Sequence, residues 1–383
     1  MEIVIKLANQ VDVKEFCKVI NFVSEDITDY RYISESNELV VECLSNANVD
    51  LIVRDITYLS KKYKISSITS KEIFHSKELI KSYKTITDYQ KVCYRIGDSA
   101  VILKGVALFL FNFFDSEFNK LAMRLGAVPR QYPVLLPVEA YKKTGYLHNS
   151  PQYATFCCDA RENISMLEAL EENIDSEDIF QRLQKPHYAL SPSACFHTYV
   201  EYQNKKMEEM SVFTFKQNVF RNEGRLNYKQ IGRLRDYHVR EIVFLGDNAF
   251  VTQKRNEAIQ YSIELLKKWE MVGKILVASD PFVMPKMQKY KKIQLLENSK
   301  YEIRLNVSED EQISAASFNL HGTAFSYPFK ISISKVDEVV TGCVGFGLER
   351  WVIAFLSQFG AEPDNWPQSI KKKWENQDES IYK

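Results

Sequence analysis

A chain of 383 residues with 45% hydrophobic and 13% aromatic content can bury a large core, and its length predicts two or three domains. Lys plus Arg and Asp plus Glu number 50 each, which excludes a global field drawing in nucleic acid or an anionic membrane. Seven cysteines without disulfide-framework spacing point to a reducing cytoplasm.

Residues 1–75 read as a small unit. MEIVIKL is a strand pattern, and VDVKEFCKVINFVSED has helical periodicity. YRYISESNELVVECL reads as two strands around a turn, and NVDLIVRDITYLSKKYK as a second helix. The order is β-α-β-β-α. Met1 leads directly into the first strand, unlike a signal peptide. The polar stretch 65–80 is expected to be a linker. A larger unit follows over 81–383. Its most apolar run, residues 100–114, holds Lys104 and Asn112 and is too short to cross a bilayer. GVALFLFNFFDSEFNKLAMRLG reads as a strand and then a helix ended by Gly126, and the prolines of YPVLLPVEAYKKTGYL forbid a long helix. NVFRNEGR and DYHVREIVFLG read as strands flanking the polar loop LNYKQIG. Residues 247–270 read as a long amphipathic helix. KILVAS, IQLLEN, YEIRLNV and EQISAASFNL read as short strands. A last helix repeats Leu348, Trp351, Val352, Phe355, Leu356 and Phe359 at core spacing. The fold class is α+β, an antiparallel sheet with flanking helices.

Two stretches carry chemistry. In FRNEGR, Arg221 and Glu223 stand two apart on an expected strand and so face one side. Such a pair is a structural ion pair or a nucleotide site, with the guanidinium gripping phosphate and the carboxylate accepting from an adenine amino group. In TGCVGFGLERW, Gly345 and Gly347 allow close backbone approach. Arg350 lies in the first turn of a helix, where the macrodipole opposes a cation unless an anion offsets it.

Taken in order, YPVLLPVEAYKKTGYL with Pro137, FRNE…DYHVRE and GFGLERW resemble motifs 1, 2 and 3 of class II aminoacyl-tRNA synthetases, over roughly residues 85–365 and nearest to the seryl branch. Where seryl-type enzymes carry Thr-x-Glu to receive the substrate amine, this chain reads LSPSACFHTY, with Ser193 and Cys195. Cys195, Glu241 and Cys343 in this frame resemble the zinc set of amino acid:carrier protein ligases and of methanogen-type seryl-tRNA synthetases. Two thiolates and a carboxylate suit zinc and leave a fourth position for an amine. LKGVALFLFNFFDSEFNKLAMRLGA, RLRDYHVREIVFLG and TGCVGFGLERWVIAFLSQFG are also similar to the ligases.

The resemblance implies a class II fold and roles residue by residue. Arg221 bridges the ATP α-phosphate and the amino acid carboxylate. Glu223 reads adenine, Tyr237 stacks on it, and Arg350 holds the γ-phosphate. Glu302 is a candidate ligand for Mg2+, although Arg304 stands where relatives carry a glutamate. Ser193, Ser317 and Asn319 surround the amino acid. The implied partners are a small amino acid, ATP, Zn2+, Mg2+ and the phosphopantetheine thiol of a holo carrier protein, with the chain acting as a homodimer. No membrane partner is expected. tRNA is disfavoured, since the sequence has no long heptad arm and no net basic charge. The rivals are a tRNA-charging enzyme of the zinc-dependent seryl type and a catalytically silent synthetase-like binding protein. His197, Cys157 and Cys158 match no ligand position of the frame.

Overall fold

The computed structural model describes all residues except 65–69, 78–79, 81, 98, 173–174, 176, 378–381 and 383. At its centre is an eight-stranded sheet in the order Glu72–His75, Gly273–Val277, Lys300–Asn306, Gln312–Gly322, Val340–Gly347, Asp236–Gly246, Ser211–Phe220, Val128–Pro129. Every pairing is antiparallel except the last.

Side chains alternate across each strand, so the two faces of this sheet have different fates. One face carries Phe244, Phe318 and Phe346 and is covered by the helices Val106–Arg124, Asn248–Lys268 and Leu348–Phe359. Phe346 stacks on Phe118 with ring centroids 4.1 Å apart, and Trp351 and Trp269 close the same cluster. Burying these rings supplies roughly 2–3 kcal/mol each by area, which fixes the register of the central strands. The other face carries polar and small residues. Cross-strand register aligns Glu302, Ser317, Gly345 and Glu241 in one row, with Asn319 beside Cys343 in the next.

The N-terminal unit has its own three-stranded sheet, Glu2–Lys6, Glu38–Cys43 and Ile27–Ile33, with the helix Val49–Ser60 packed on it. Its core gathers Ile5, Phe16, Ile20, Leu39, Ile52 and Ile56.

Several elements differ from expectation. VDVKEFCKVINFVSED forms only the short helix Val13–Cys17 and a 3-10 turn, Ile20–Phe22. The Lys18 carbonyl and the Asn21 side chain are engaged by another loop. Of the expected linker 65–80, residues 65–69 and 78–79 lie outside the described residues, and Glu72–His75 forms the edge strand of the central sheet. After its N-cap Gly105, GVALFLFNFF is helical, with the strand falling earlier, at Ala100–Leu103. Burial of its phenylalanines beneath the other helices overrides their strand propensity. IQLLEN ends the helix Gln288–Glu297, an ambiguity inherent in short apolar runs. The strand before the polar loop ends at Phe220, so Arg221 and Glu223 lie beyond it. No helix among the described residues is long and apolar enough to cross a membrane.

Candidate active site

The polar face of the sheet floors a cavity of ≈ 1000 Å3, and every candidate site residue named from the sequence lines it. The cavity has a sulfur-rich end and a guanidinium-rich end.

At the first end, Cys195 stands at the head of the short helix Phe196–Glu201, while Glu241 and Cys343 project from adjacent central strands. One donor atom from each lies within 4.8 Å of the other two, and all three residues are buried. Gly345, directly across from Glu241, leaves the space for this carboxylate. A Cβ built there would stand 2.8 Å from Glu241 Oε2. Three potential anions packed together in a dry site repel one another. Burial, followed by the charge of Cys195, drives the Glu241 carboxyl well above its ordinary value. The hydrogen bond to Cys195 and burial drive the Cys343 thiol up as well. Burial opposes ionisation of Cys195, but hydrogen bonds from Cys343 and Ser193 outweigh it and hold this thiol below its ordinary value. A dication would relieve that conflict. A tetrahedral zinc with ligands about 2.0–2.3 Å away sets them roughly 3.3–3.8 Å apart, and donor atoms within 4.8 Å of one another can close to that spacing, so the donor set fits zinc.

Neighbours orient the sulfurs. Ser193 Oγ is 3.3 Å from Cys195 Sγ, and Asn319 Nδ2 donates to Cys343 Sγ at 3.5 Å. His321 Nε2 is 3.7 Å from Cys343 Sγ, while its Nδ1 is 3.2 Å from Thr341 Oγ1 and 3.3 Å from the Tyr199 hydroxyl. Burial lowers the His321 pKa to about 4, so the ring is neutral at pH 7. His197 is turned away, bonded to the Leu135 carbonyl at 3.2 Å.

Between the ends lies Arg221. Its Nε donates to the Pro192 carbonyl at 2.8 Å, which aims the fork into the cavity. Its charge acts on Glu241 on one side and on Glu223 on the other.

At the second end, Glu223 pairs with Arg233 and, at 3.4 Å, with Arg350. Burial works against its charge, but these guanidiniums and Arg221 lower its pKa to about 2. Arg350 lies 4.4 Å from the centroid of the Tyr237 ring and donates to the Ser314 carbonyl at 3.2 Å, while its buried Nε finds no partner among the described residues. A purine shares with guanidinium a flat face suited to an aromatic ring, and one entering between Arg350 and Tyr237 would part them. Glu302 is held by Lys300 at 3.3 Å and Arg304 at 3.2 Å, and Lys300 also pairs with Asp280 at 2.7 Å. Each Glu302 oxygen thus faces one cation and keeps a further lone pair, so a magnesium ion there would share the carboxylate with Lys300 and Arg304.

Sequence reasoning missed Arg233, Asp280 and His321. Arg233 has one legible signal, a cation in the loop that follows Glu223. Asp280 and His321 have none, because their importance arises from contacts across the fold.

No protein-family model matches the chain. Over 279 residues it is 30% identical to the type-2 serine–tRNA ligase of Methanococcus maripaludis (strain C5), a match covering 69% of this chain and 54% of that protein. The type-2 serine–tRNA ligase of Methanocaldococcus jannaschii is 27% identical over 269 residues, covering 67% and 51%. Among solved structures, M. kandleri SerRS, in complex with A. aeolicus tRNASec, superposes with a TM-score of 0.71 at 19% identity, covering 97% of this chain and 77% of that one. The chain thus spans about half the length of the curated relatives it matches. Its fold is the α+β class II synthetase-like fold, and its sequence is homologous to the type-2 serine–tRNA ligases over 279 residues.

Proposed function

From the premise of a class II synthetase-like chain homologous to type-2 serine–tRNA ligases, we propose that it activates a small amino acid with ATP. The aminoacyl group then passes to the phosphopantetheine thiol of a holo carrier protein. The carrying observation is the convergence of Cys195, Glu241 and Cys343 with Arg221, Glu223 and Arg350 on one cavity.

Zinc held by the two thiolates and the Glu241 carboxylate would supply an electrophilic site for the neutral amine of the substrate. Ser317 and Asn319 flank the amino acid, and Ser193 braces the Cys195 sulfur. Arg221 reaches toward both the amino acid carboxylate and the α-phosphate. As the carboxylate oxygen bonds to phosphorus and pyrophosphate leaves, its guanidinium neutralises the charge gathering on the equatorial oxygens. No strong base is required, since the attacking carboxylate is already ionised. The main contributions are positioning and charge neutralisation. Glu223 and Tyr237 bind adenine, Arg350 binds the γ-phosphate, and Glu302 is the magnesium candidate. Seven free cysteines suit a reducing cytoplasm, and the working unit is a homodimer.

A second acceptor has its own support. The matched relatives are tRNA ligases, and the M. kandleri structure contains a tRNA, which weighs against treating tRNA as disfavoured. The chemistry up to the adenylate is the same for both acceptors. Amino-acid-dependent pyrophosphate exchange across all twenty amino acids tests the activation step. Parallel incubation with holo carrier protein and tRNA then identifies the acceptor. Exchange with no amino acid would overturn the ligase assignment in favour of a silent binding protein, and charging of tRNA alone would replace the carrier by tRNA.

A further inference from the structure

The N-terminal unit grips the loop that carries Glu223. Leu226 of that loop is buried in the unit's own core, and its amide is bonded to the Asn21 side chain. Asn227 Nδ2 donates to the Lys18 carbonyl at 2.9 Å, Arg225 donates to the Glu25 carbonyl at 3.0 Å, and Lys229 pairs with Asp29 at 2.7 Å. Gly224, at φ +93°, lets the two backbones close together. A Cβ there would lie 2.8 Å from Asn21 Cβ. A second attachment joins Glu15 to Lys291 at 3.0 Å and the Tyr63 hydroxyl to the Val283 carbonyl at 2.6 Å.

These contacts bring the Lys18 side chain into the wall of the large cavity, at its guanidinium-rich end. Glu15 is its ion-pair partner, but Glu15 is shared with Lys291. The Lys18 ammonium is also close enough to Arg233 and Arg304 to be repelled by both. Burial and that repulsion outweigh Glu15 and hold its pKa below the ordinary lysine value. Arg233 and Arg304 each hold a carboxylate of their own, Glu223 and Glu302, so Lys18 stands beside two ion pairs with only a half-share of Glu15 and faces the cavity, where a phosphate would complete its pairing.

We propose that Lys18 is a further polyphosphate-binding residue of the activation site, delivered by docking of the N-terminal unit on the Glu223 loop. This rests on the assignment of the cavity to ATP. The unit then serves the first half of the reaction, completing the nucleotide end, in addition to any dealings with the acceptor. Lys18 and Arg350 come from different parts of the chain, so the triphosphate, by binding both, also tightens the clamp.

The test is calorimetric titration of the full chain with magnesium-ATP and with adenosine, for wild type, Lys18→Gln and Lys18→Arg. Lys18→Gln should weaken ATP by about tenfold or more, since a charge-assisted hydrogen bond is lost, and leave adenosine within about twofold. Lys18→Arg should keep ATP affinity within about threefold, which shows that charge and not folding is read. Because the Asn227 contact uses the Lys18 backbone carbonyl, docking should survive both changes. Unchanged ATP affinity in Lys18→Gln overturns the proposal and leaves the ATP site standing. Equal weakening of ATP and adenosine also overturns it, since the loop and not the phosphate contact was then disturbed. A wild-type chain that binds no ATP overturns it together with the ligase assignment.

Discussion

The two ends of the cavity reach similar burial by opposite means. At the metal end, Glu241 and Cys343 stand on adjacent strands of the central sheet, and Gly345 makes room for the carboxylate. At the nucleotide end, Glu223 and Arg233 sit on a loop, Arg350 on a helix, and Lys18 on a separate unit with its own core. A strand floor braced by stacked aromatic rings holds its donors whether or not a ligand is bound. A site assembled from a loop and a second unit depends on docking contacts and on the anion it awaits. The two ends should therefore fail separately.

The largest expected separation comes from Cys343→Ala. It removes a thiolate from the buried set, and both bound zinc and pyrophosphate exchange should be lost. ATP affinity in the absence of amino acid should stay within about threefold of wild type, because the nucleotide contacts lie elsewhere. Metal analysis alongside calorimetry checks both halves. Loss of ATP binding in that variant would mean the ends are one cooperative unit.

Arg221→Ala attacks the junction. Removing a preorganised transition-state cation costs about 10²–10³-fold in exchange rate. Zinc content should be unchanged, since Arg221 is bonded to a carbonyl and not to a ligand.

The contrast between ends also explains what was legible beforehand. Cys195, Glu241, Cys343, Arg221 and Arg350 are readable because each lies in a short stretch framed by the family resemblance, and strand register turns the places of Glu241 and Cys343 into positions in space. The first turns of the helix from Val106 read as strand because local propensity cannot register the burial that decides them. Glu72–His75 reads as linker because a four-residue edge strand has too little pattern to show alternation. Lys18 is not readable from the sequence because it matters only through a long-range contact. Nothing near Lys18 in sequence announces that its carbonyl will receive Asn227.

Acid should loosen the nucleotide end by titration of its carboxylates. Glu223 has a folded-state pKa of about 2 against an ordinary value of 4.5. A depressed carboxylate contributes stability that is fully present above the unfolded value and lost as pH falls through the folded one. The Glu223 contribution, about 3 kcal/mol for a shift of this size, should therefore decline between pH 4.5 and about 2. Glu15, lowered to about 2 by Lys18 and Lys291 against the effect of burial, should release the N-terminal unit in the same window. Melting curves of wild type and Glu223→Gln across that range check the claim, since their difference should shrink toward the acid limit.

Gly345→Ala is the smallest change. Its new methyl group would press on Glu241 Oε2, and zinc affinity should fall by about 10-fold with ATP affinity unaffected. Competition with a chromophoric chelator measures it.

The most direct test of the central claim is X-ray absorption at the zinc edge on the purified full chain, with and without its amino acid. One zinc per chain bound by two sulfurs and lighter atoms, with a nitrogen added when the amino acid binds, is the predicted result. A chain that exchanges pyrophosphate at full rate while free of zinc, or a zinc whose shell lacks two sulfurs, would contradict it.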